Sequence, residues 1–266
     1  MSASQLFTRQ GLELIKQMTV REIQGRYRGS FIGLFWSFLI PIIMLLVYTF
    51  VFSVVFKARW GVGGDVGHGK FAINLFAGMM VYNFFSEVIS RSPMLILNNR
   101  NFVKKMVFPL EIFSIATTFN ALFHFFISLF IFAVFFLFLN HYLCWTIIFI
   151  PLIILPFFCL TLGISCLLAG AGLLLRDINY IINVILTILM FFAPIFYPVS
   201  MLPAALQHLV YLNPLTLIVE EARQVLVLGV MPDWKLWIIN TIISVAVLIC
   251  SYLLFEKMRR VFADVI

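Results

Sequence analysis

The sequence predicts an all-α integral membrane protein. It has six transmembrane helices, an N-terminal amphipathic helix at the interface, and a re-entrant pair of external half-helices between spans five and six. Three observations predict this. Apolar residues make up 63% of the 266 residues and charged residues only 11%, whereas a soluble domain has about 45–50% and about 25%. The apolar residues form runs that exceed the ~20 needed to cross a bilayer. Lys and Arg gather in polar gaps on one side of those runs, as cytoplasmic loops do. In a soluble chain the net charge of +7 would point to nucleic acid. Here the basic residues flank the spans, so anionic lipid and topology account for them, and nucleic acid is not an expected partner.

Residues 4–27 form the interfacial helix. Leu12, Ile15 and Met18 recur at helical spacing, with Leu14 and Ile23 nearby, while Glu13, Lys16, Arg21 and Glu22 make the polar face. Such a helix lies in the headgroup layer with Arg26 and Arg28 near anionic lipid. It is either an orientation anchor or a lever that touches a partner or a lipid headgroup. Residues 31–56 carry no charge and make the first span, with Pro41 as the expected kink. This run exceeds the ~7–15 residues of a signal-peptide core, so the N-terminus is expected to be retained.

Residues 57–70 read as a glycine-rich external loop. Gly64 to Lys70 imitates the first seven positions of a phosphate-binding loop. The eighth is Phe71, which lacks the hydroxyl that holds magnesium, and no βαβ unit surrounds it. Nucleotide binding there is excluded on those grounds. Residues 71–90 make the second span, with Glu87 near its inner end. The basic segment 91–109 follows, the longest polar interruption in the chain, with Arg91, Arg100, Lys104 and Lys105. It is the expected surface for an intracellular partner.

Ile112 to Leu175 carries no formal charge. At about 1.5 Å per residue it is far too long for one crossing of a core of about 30 Å. Asn140-His141 is the natural break, which gives spans at 110–139 and 146–175. Gly163, Ser165 and Ala169 to Gly172 are small residues that let helices approach closely. Arg176-Asp177 caps that span, and 178–197 makes the fifth. Residues 199–230 are two short pieces around Asn213-Pro214, with Glu220, Glu221 and Arg223 on the second. The last span is 236–255, followed by Lys257, Arg259 and Arg260.

Parity decides the middle of the chain. With the N-terminus inside, five spans leave the chain outside at residue 198, and the basic tail belongs inside. The last span supplies one crossing, so 199–230 must cross twice or not at all. Its pieces are too short and polar to cross, and a re-entrant hairpin fits. Both termini are then cytoplasmic. Only Lys57, Arg59, Lys70, Arg223 and Lys235 of the 18 basic residues fall outside. No internal repeat is evident, which argues against inverted-repeat transporters.

Little in the chain suggests catalysis. Cys144, Cys159, Cys166 and Cys250 sit in or beside apolar segments and read as packing residues. His68, His124, His141 and His208 are scattered without metal-ligand spacing. No carboxylate pair stands beside a histidine for acid–base work. Glu220 and Arg223, at i and i+3, neutralise each other on one helix face. They are either a structural ion pair that fastens the hairpin or a substrate contact. Arg176-Asp177 is a helix cap, or else a gate or partner contact. Among the aromatics, Trp36, Tyr48, Tyr82, Tyr197 and Tyr211 suit either an interfacial belt or stacking against sugar rings in a channel.

Four stretches carry a resemblance. They are RYRGSFIGLFWSFLIPIIMLLVYTFVF (26–52), NNRNFVKKMVFPLEIF (98–113), the segment from Leu173 to Val227, and the tail FEKMRRVFADVI (255–266). Together they resemble the transmembrane subunit of ATP-binding-cassette exporters of cell-surface polysaccharide: the O-antigen, capsule and teichoic acid permeases. The most specific parts are Lys105 with Phe108 to Glu111, Arg176-Asp177, Pro194 to Pro198, and Leu212 to Leu215 with Glu220 and Arg223.

The resemblance implies a homodimer in the bacterial inner membrane with two copies of a separate ATPase docked beneath it. Asn99, Arg100, Asn101, Phe102, Lys104 and Lys105 would couple to that ATPase, which would carry the ATP and magnesium. This chain would bind no cofactor and catalyse nothing. The substrate would be a polyprenyl-diphosphate-linked glycan, with O-antigen first and capsule or teichoic acid next. Arg21, Arg26 and Arg28 would meet its diphosphate, and Arg176 and Asp177 would form part of the cytoplasmic gate. Trp36, Tyr48, Phe196 and Tyr197 would line the channel, with Asn213, Pro214, Glu220 and Arg223 in the external hairpin. The alternatives are a drug or small-lipid exporter permease, a transferase acting on polyprenyl-linked sugars, and a passive channel or scaffold.

Overall fold

The structure, a computed structural model, describes residues 8–56, 60, 69–100, 109–175 and 177–265. Among them the chain is helical throughout, without strands. The phosphate-loop imitation at 64–70 falls largely outside the described residues. So do the coupling residues Asn101, Phe102, Lys104 and Lys105, and Arg176 of the expected gate.

Helix α1 spans Arg9–Tyr27 and is capped by Thr8, whose hydroxyl accepts the Gly11 N–H at 3.2 Å. Its apolar stripe is short. Met18 is buried with Leu14 and Ile15 beside it, packed on Leu95, Ile96, Ile112 and Phe113. The chain turns at Gly29 and Gly33, both with positive φ, a conformation that costs glycine little. Helix α2, Trp36–Tyr48, runs through Pro41 and loosens into wider turns over Thr49–Val55.

Helix α3, Lys70–Arg91, is the centre of the molecule. It continues through a tight turn into the short α4, Leu95–Asn98. Among the long apolar helices the most hydrophobic window is 78% buried here, against 11% for Gly33–Phe52 around α2. Helices α5, Glu111–Asn140, and α6, Ile150–Leu174, pack against it. The break between them falls at the expected place. His141 takes a left-handed conformation (φ +60°) and its N–H caps the Leu137 carbonyl at 2.9 Å.

The small-residue run on α6 makes its closest approaches to the rest of the bundle. A side chain on Gly172 would meet the Pro93 carbonyl oxygen at 2.3 Å, and one on Gly163 would meet Leu248 Cα at 2.8 Å. Ser92 and Ser165 share a hydrogen bond of 2.8 Å across this contact.

Helix α7 covers Ile178–Phe192 and stops before Ala193-Pro194, shorter than the expected 178–197. Proline lacks the N–H that would continue the ladder. Asp177 stands at its N-cap position. The backbone carbonyl rather than the carboxylate accepts there, from Tyr180 and Ile181 at 3.0 and 3.2 Å. Two short helices follow, α8 (Ala204–Val210) and α9 (Pro214–Arg223), then α10, Trp234–Val265. Asn213 caps α9 through Oδ1, which accepts the Leu215 N–H at 3.0 Å, while its amide donates to the Leu189 carbonyl at 3.0 Å.

Among the described residues five helices are long and apolar enough to cross a membrane, at Gly33–Phe52, Lys70–Asn98, Glu111–Asn140, Trp145–Leu174 and Trp234–Arg259, and α7 is a shorter apolar helix. The chain is a multi-pass membrane protein. It is one span short of the expected six by length alone.

Candidate functional site

Polar side chains gather at the two ends of α3. At its C-terminal end a cavity of about 980 Å³ opens between α1, α2, α3 and α5. Its floor is charged. Arg21, Arg26 and Arg28 come from the last turns of α1 and the turn after it, Arg91 comes from α3, and Glu22 and Glu87 face them. Ile40, Pro41 and Met44 of α2 form an apolar wall, and Tyr48 lines the same cavity.

Two ion pairs cross between α1 and α3: Arg26 with Glu87, and Arg91 with Glu22. Glu87 also accepts the Asn120 side-chain amide at 3.2 Å, which ties α5 to the same carboxylate. Next to it the His124 ring meets the edge of Tyr27, centroids 6.0 Å apart. Arg21 donates to Asn99 Oδ1 at 3.2 Å. The expected headgroup helix is therefore joined directly to the first residue of the expected coupling segment. Arg100 follows in helical conformation and is exposed. Glu111 pairs with Arg259 at 3.4 Å and brings the end of α10 to this side of the bundle.

At the other end of α3, Arg223 is buried, and its side chain is 5% exposed. Its Nε donates to the Asn74 carbonyl at 3.0 Å and its Nη2 to the Ile195 carbonyl at 2.7 Å. Nη1 serves both the Pro194 carbonyl and Glu220, the latter at 3.2 Å. The Trp60 ring covers the guanidinium at 4.4 Å. The planar fork suits several acceptors at once, and here it stitches α9 to α3 and to the proline-broken end of α7. Glu221 beside it is buried, and neither carboxylate oxygen has a partner among the described residues.

The four expected channel aromatics have these neighbours. Tyr48 faces the α1-end cavity. Trp36 donates to Ser30 Oγ at 3.0 Å. Phe196 stacks on Phe191 at 5.7 Å, and the Tyr197 hydroxyl donates to the Phe191 carbonyl at 3.1 Å. Pro214 and Asn213 start α9 as turn and cap. The sequence alone places Glu22 on the polar face of the first helix and Glu87 near the inner end of a span, counts His124 among scattered histidines, and does not single out Asn120. Glu87 had a usable signal, an ionisable side chain inside a span. His124, inside the span at 110–139, carried the same signal; Asn120 carried none, since only the packing of α5 brings it to Glu87. Among the described residues no three His, Cys, Asp or Glu gather as metal ligands.

Comparison with known proteins agrees with this architecture. The chain is similar to an O-antigen export system permease protein, RfbA, of Myxococcus xanthus, at 26% identity over 253 residues and 94% of each chain. It is similar to the protein of the same name in Klebsiella pneumoniae at 22% identity, over 96% of this chain and 95% of that one. The family described as ABC-2 type transporter matches residues 13–227, from the middle of α1 to the turns after α9. With the match covering the helices around α3 and both polar clusters at its ends, the chain belongs to the ABC-2 type transporter family.

Proposed function

We infer that this chain is the membrane-spanning subunit of an ATP-driven exporter of cell-surface polysaccharide, O-antigen foremost. One observation carries the reading: similarity along nearly the whole length to permeases named for O-antigen export. The α1-end cavity supports it, because a floor of guanidiniums beside an apolar wall suits a phosphate headgroup on a lipid tail. The substrate is then a glycan carried on a polyprenyl diphosphate, taken from the inner leaflet of the bacterial inner membrane.

In this reading the chain crosses six times with both termini cytoplasmic. The short α7 completes its crossing through the segment after Phe192, and α8 and α9 dip into the membrane from outside as a re-entrant hairpin. Two copies pair through α2 and α7. Their outer faces carry exposed Ile43, Leu46, Val47 and Phe50 on one helix and Ile181, Val184, Ile188 and Phe191 on the other. ATP and magnesium belong to a separate ATPase, two copies of which dock under the segment from Asn99 to Lys105. Closure of that ATPase moves this segment and, through the Arg21–Asn99 bond, α1. Arg176 and Asp177 lie at the inner mouth, and aromatic rings hold the moving glycan weakly.

The test is made in cells that produce the surface glycan. Removing the chain should leave lipid-linked glycan inside the cell, and restoring it should return glycan to the surface. The restored chain should co-purify with a nucleotide-binding subunit. Undiminished surface glycan without the chain refutes the reading. A chain that couples to an ATPase but moves only drugs or small lipids makes it a different exporter of the same family.

A further inference from the structure

The two ion pairs between α1 and α3 occupy the guanidiniums that an incoming anion would need. Arg26 and Arg91 are each 41% exposed along their side chains, while their partners Glu87 and Glu22 are 17% and 20% exposed. The carboxylates sit deeper and the cations face the opening. A guanidinium has five N–H donors in a planar fork, and one carboxylate does not use them all. Among the described residues, four arginines and two glutamates line this cavity.

Glu87 is also prepared for the loss of its arginine. The Asn120 amide donates to the same Oε1 at 3.2 Å, so the carboxylate keeps a buried hydrogen bond when Arg26 turns away. His124 lines the same cavity, and its Nε2 has no partner among the described residues. The apolar wall of Ile40, Pro41 and Met44 continues onto exposed faces of α2, a path for an attached tail.

We propose that Glu22 and Glu87 are resident counter-ions, exchanged for the phosphate or diphosphate head of an amphiphilic lipid, and that the exchange unlatches α1 from α3. The proposal rests on the exporter reading and adds a trigger to it. With the cavity empty, α1 is clamped to the bundle by two crossed pairs. With a headgroup bound, Arg26 and Arg91 turn to phosphate oxygens, which accept bidentate guanidinium contacts as well as carboxylates do. The clamp then opens. Because Arg21 bonds Asn99, the motion reaches the start of the coupling segment.

The experiment measures binding of farnesyl diphosphate to the full chain, with its ATPase, in nanodiscs. Removing the competing carboxylates in the Glu22→Gln, Glu87→Gln double variant should tighten binding about tenfold. Arg26→Gln should weaken it about tenfold. Amide exchange in residues 9–27 should rise on adding farnesyl diphosphate. Unchanged or weaker binding in the double variant, or α1 becoming more protected, overturns the exchange and leaves the exporter reading standing. Inorganic diphosphate competing as well as the farnesyl ester assigns the site to free phosphate and overturns the lipid half. If no probe binds the unmodified chain, the headgroup site falls, while the surface-glycan assay in cells still judges export independently.

Discussion

Arg223 shows how much one side chain can hold in a membrane protein. Its fork satisfies carbonyls of Asn74, Pro194 and Ile195, two of them freed because Pro194 and the end of α7 leave the helical ladder. Lysine at this position keeps the charge but offers a single ammonium that cannot span the same acceptors. Arg223→Lys should therefore lower stability by about 2–4 kcal/mol, since buried carbonyls lose their partners. A thermal melt of the detergent-purified chain measures it, and an unchanged midpoint would make the fork dispensable. The i, i+3 spacing of Glu220 and Arg223 was legible in the sequence. The three carbonyls were not, because they belong to residues 28 to 149 positions away.

At the scale of elements, the α6 contacts turn on backbone proximity. Gly172 lies against the Pro93 backbone, which cannot step aside as a flexible side chain can. Gly172→Ala should cost about 1–3 kcal/mol through overpacking and lower the melting temperature of the chain. Gly25→Ala in α1 meets open space and should be neutral or stabilising by up to about 1 kcal/mol, as helix propensity favours alanine. Equal melting temperatures for the two variants would contradict the close approach. Small residues at 163–172 announced tight packing in advance, because only such residues let backbones touch. Their partners, the turn at Pro93 and the helix around Leu248, could not be read from spacing. Helix α7 ends at Phe192 although the apolar run continues to 197, because the missing proline N–H stops the ladder whatever the hydropathy.

At the scale of the whole molecule, the chain has no described nucleotide site, and in our reading movement must come from a neighbour. Reversing charge in the basic segment, Lys104→Glu with Lys105→Glu, should abolish surface glycan export while membrane insertion and chain abundance stay normal. Export that continues at the ordinary rate would remove that segment from the coupling role. The arginines of α1 were expected at the membrane surface, and the structure adds what they touch. Arg26 and Arg21 reach Glu87 and Asn99, linking three separate parts of the chain in one polar cluster.

The sequence by itself determined that the chain lives in a bilayer, where its long helices run, and where α5 breaks from α6. Apolar run length and turn chemistry are local properties that need no knowledge of neighbours. Tertiary structure alone decided that α3 is the buried axis while α2 faces outward, and that Glu22 and Glu87 sit opposite arginines. The reason is physical. In lipid an apolar side chain is equally welcome against a tail or another helix, so hydropathy does not mark which face meets protein. Packing makes that choice, and with it the pairing of the few charges that the membrane permits.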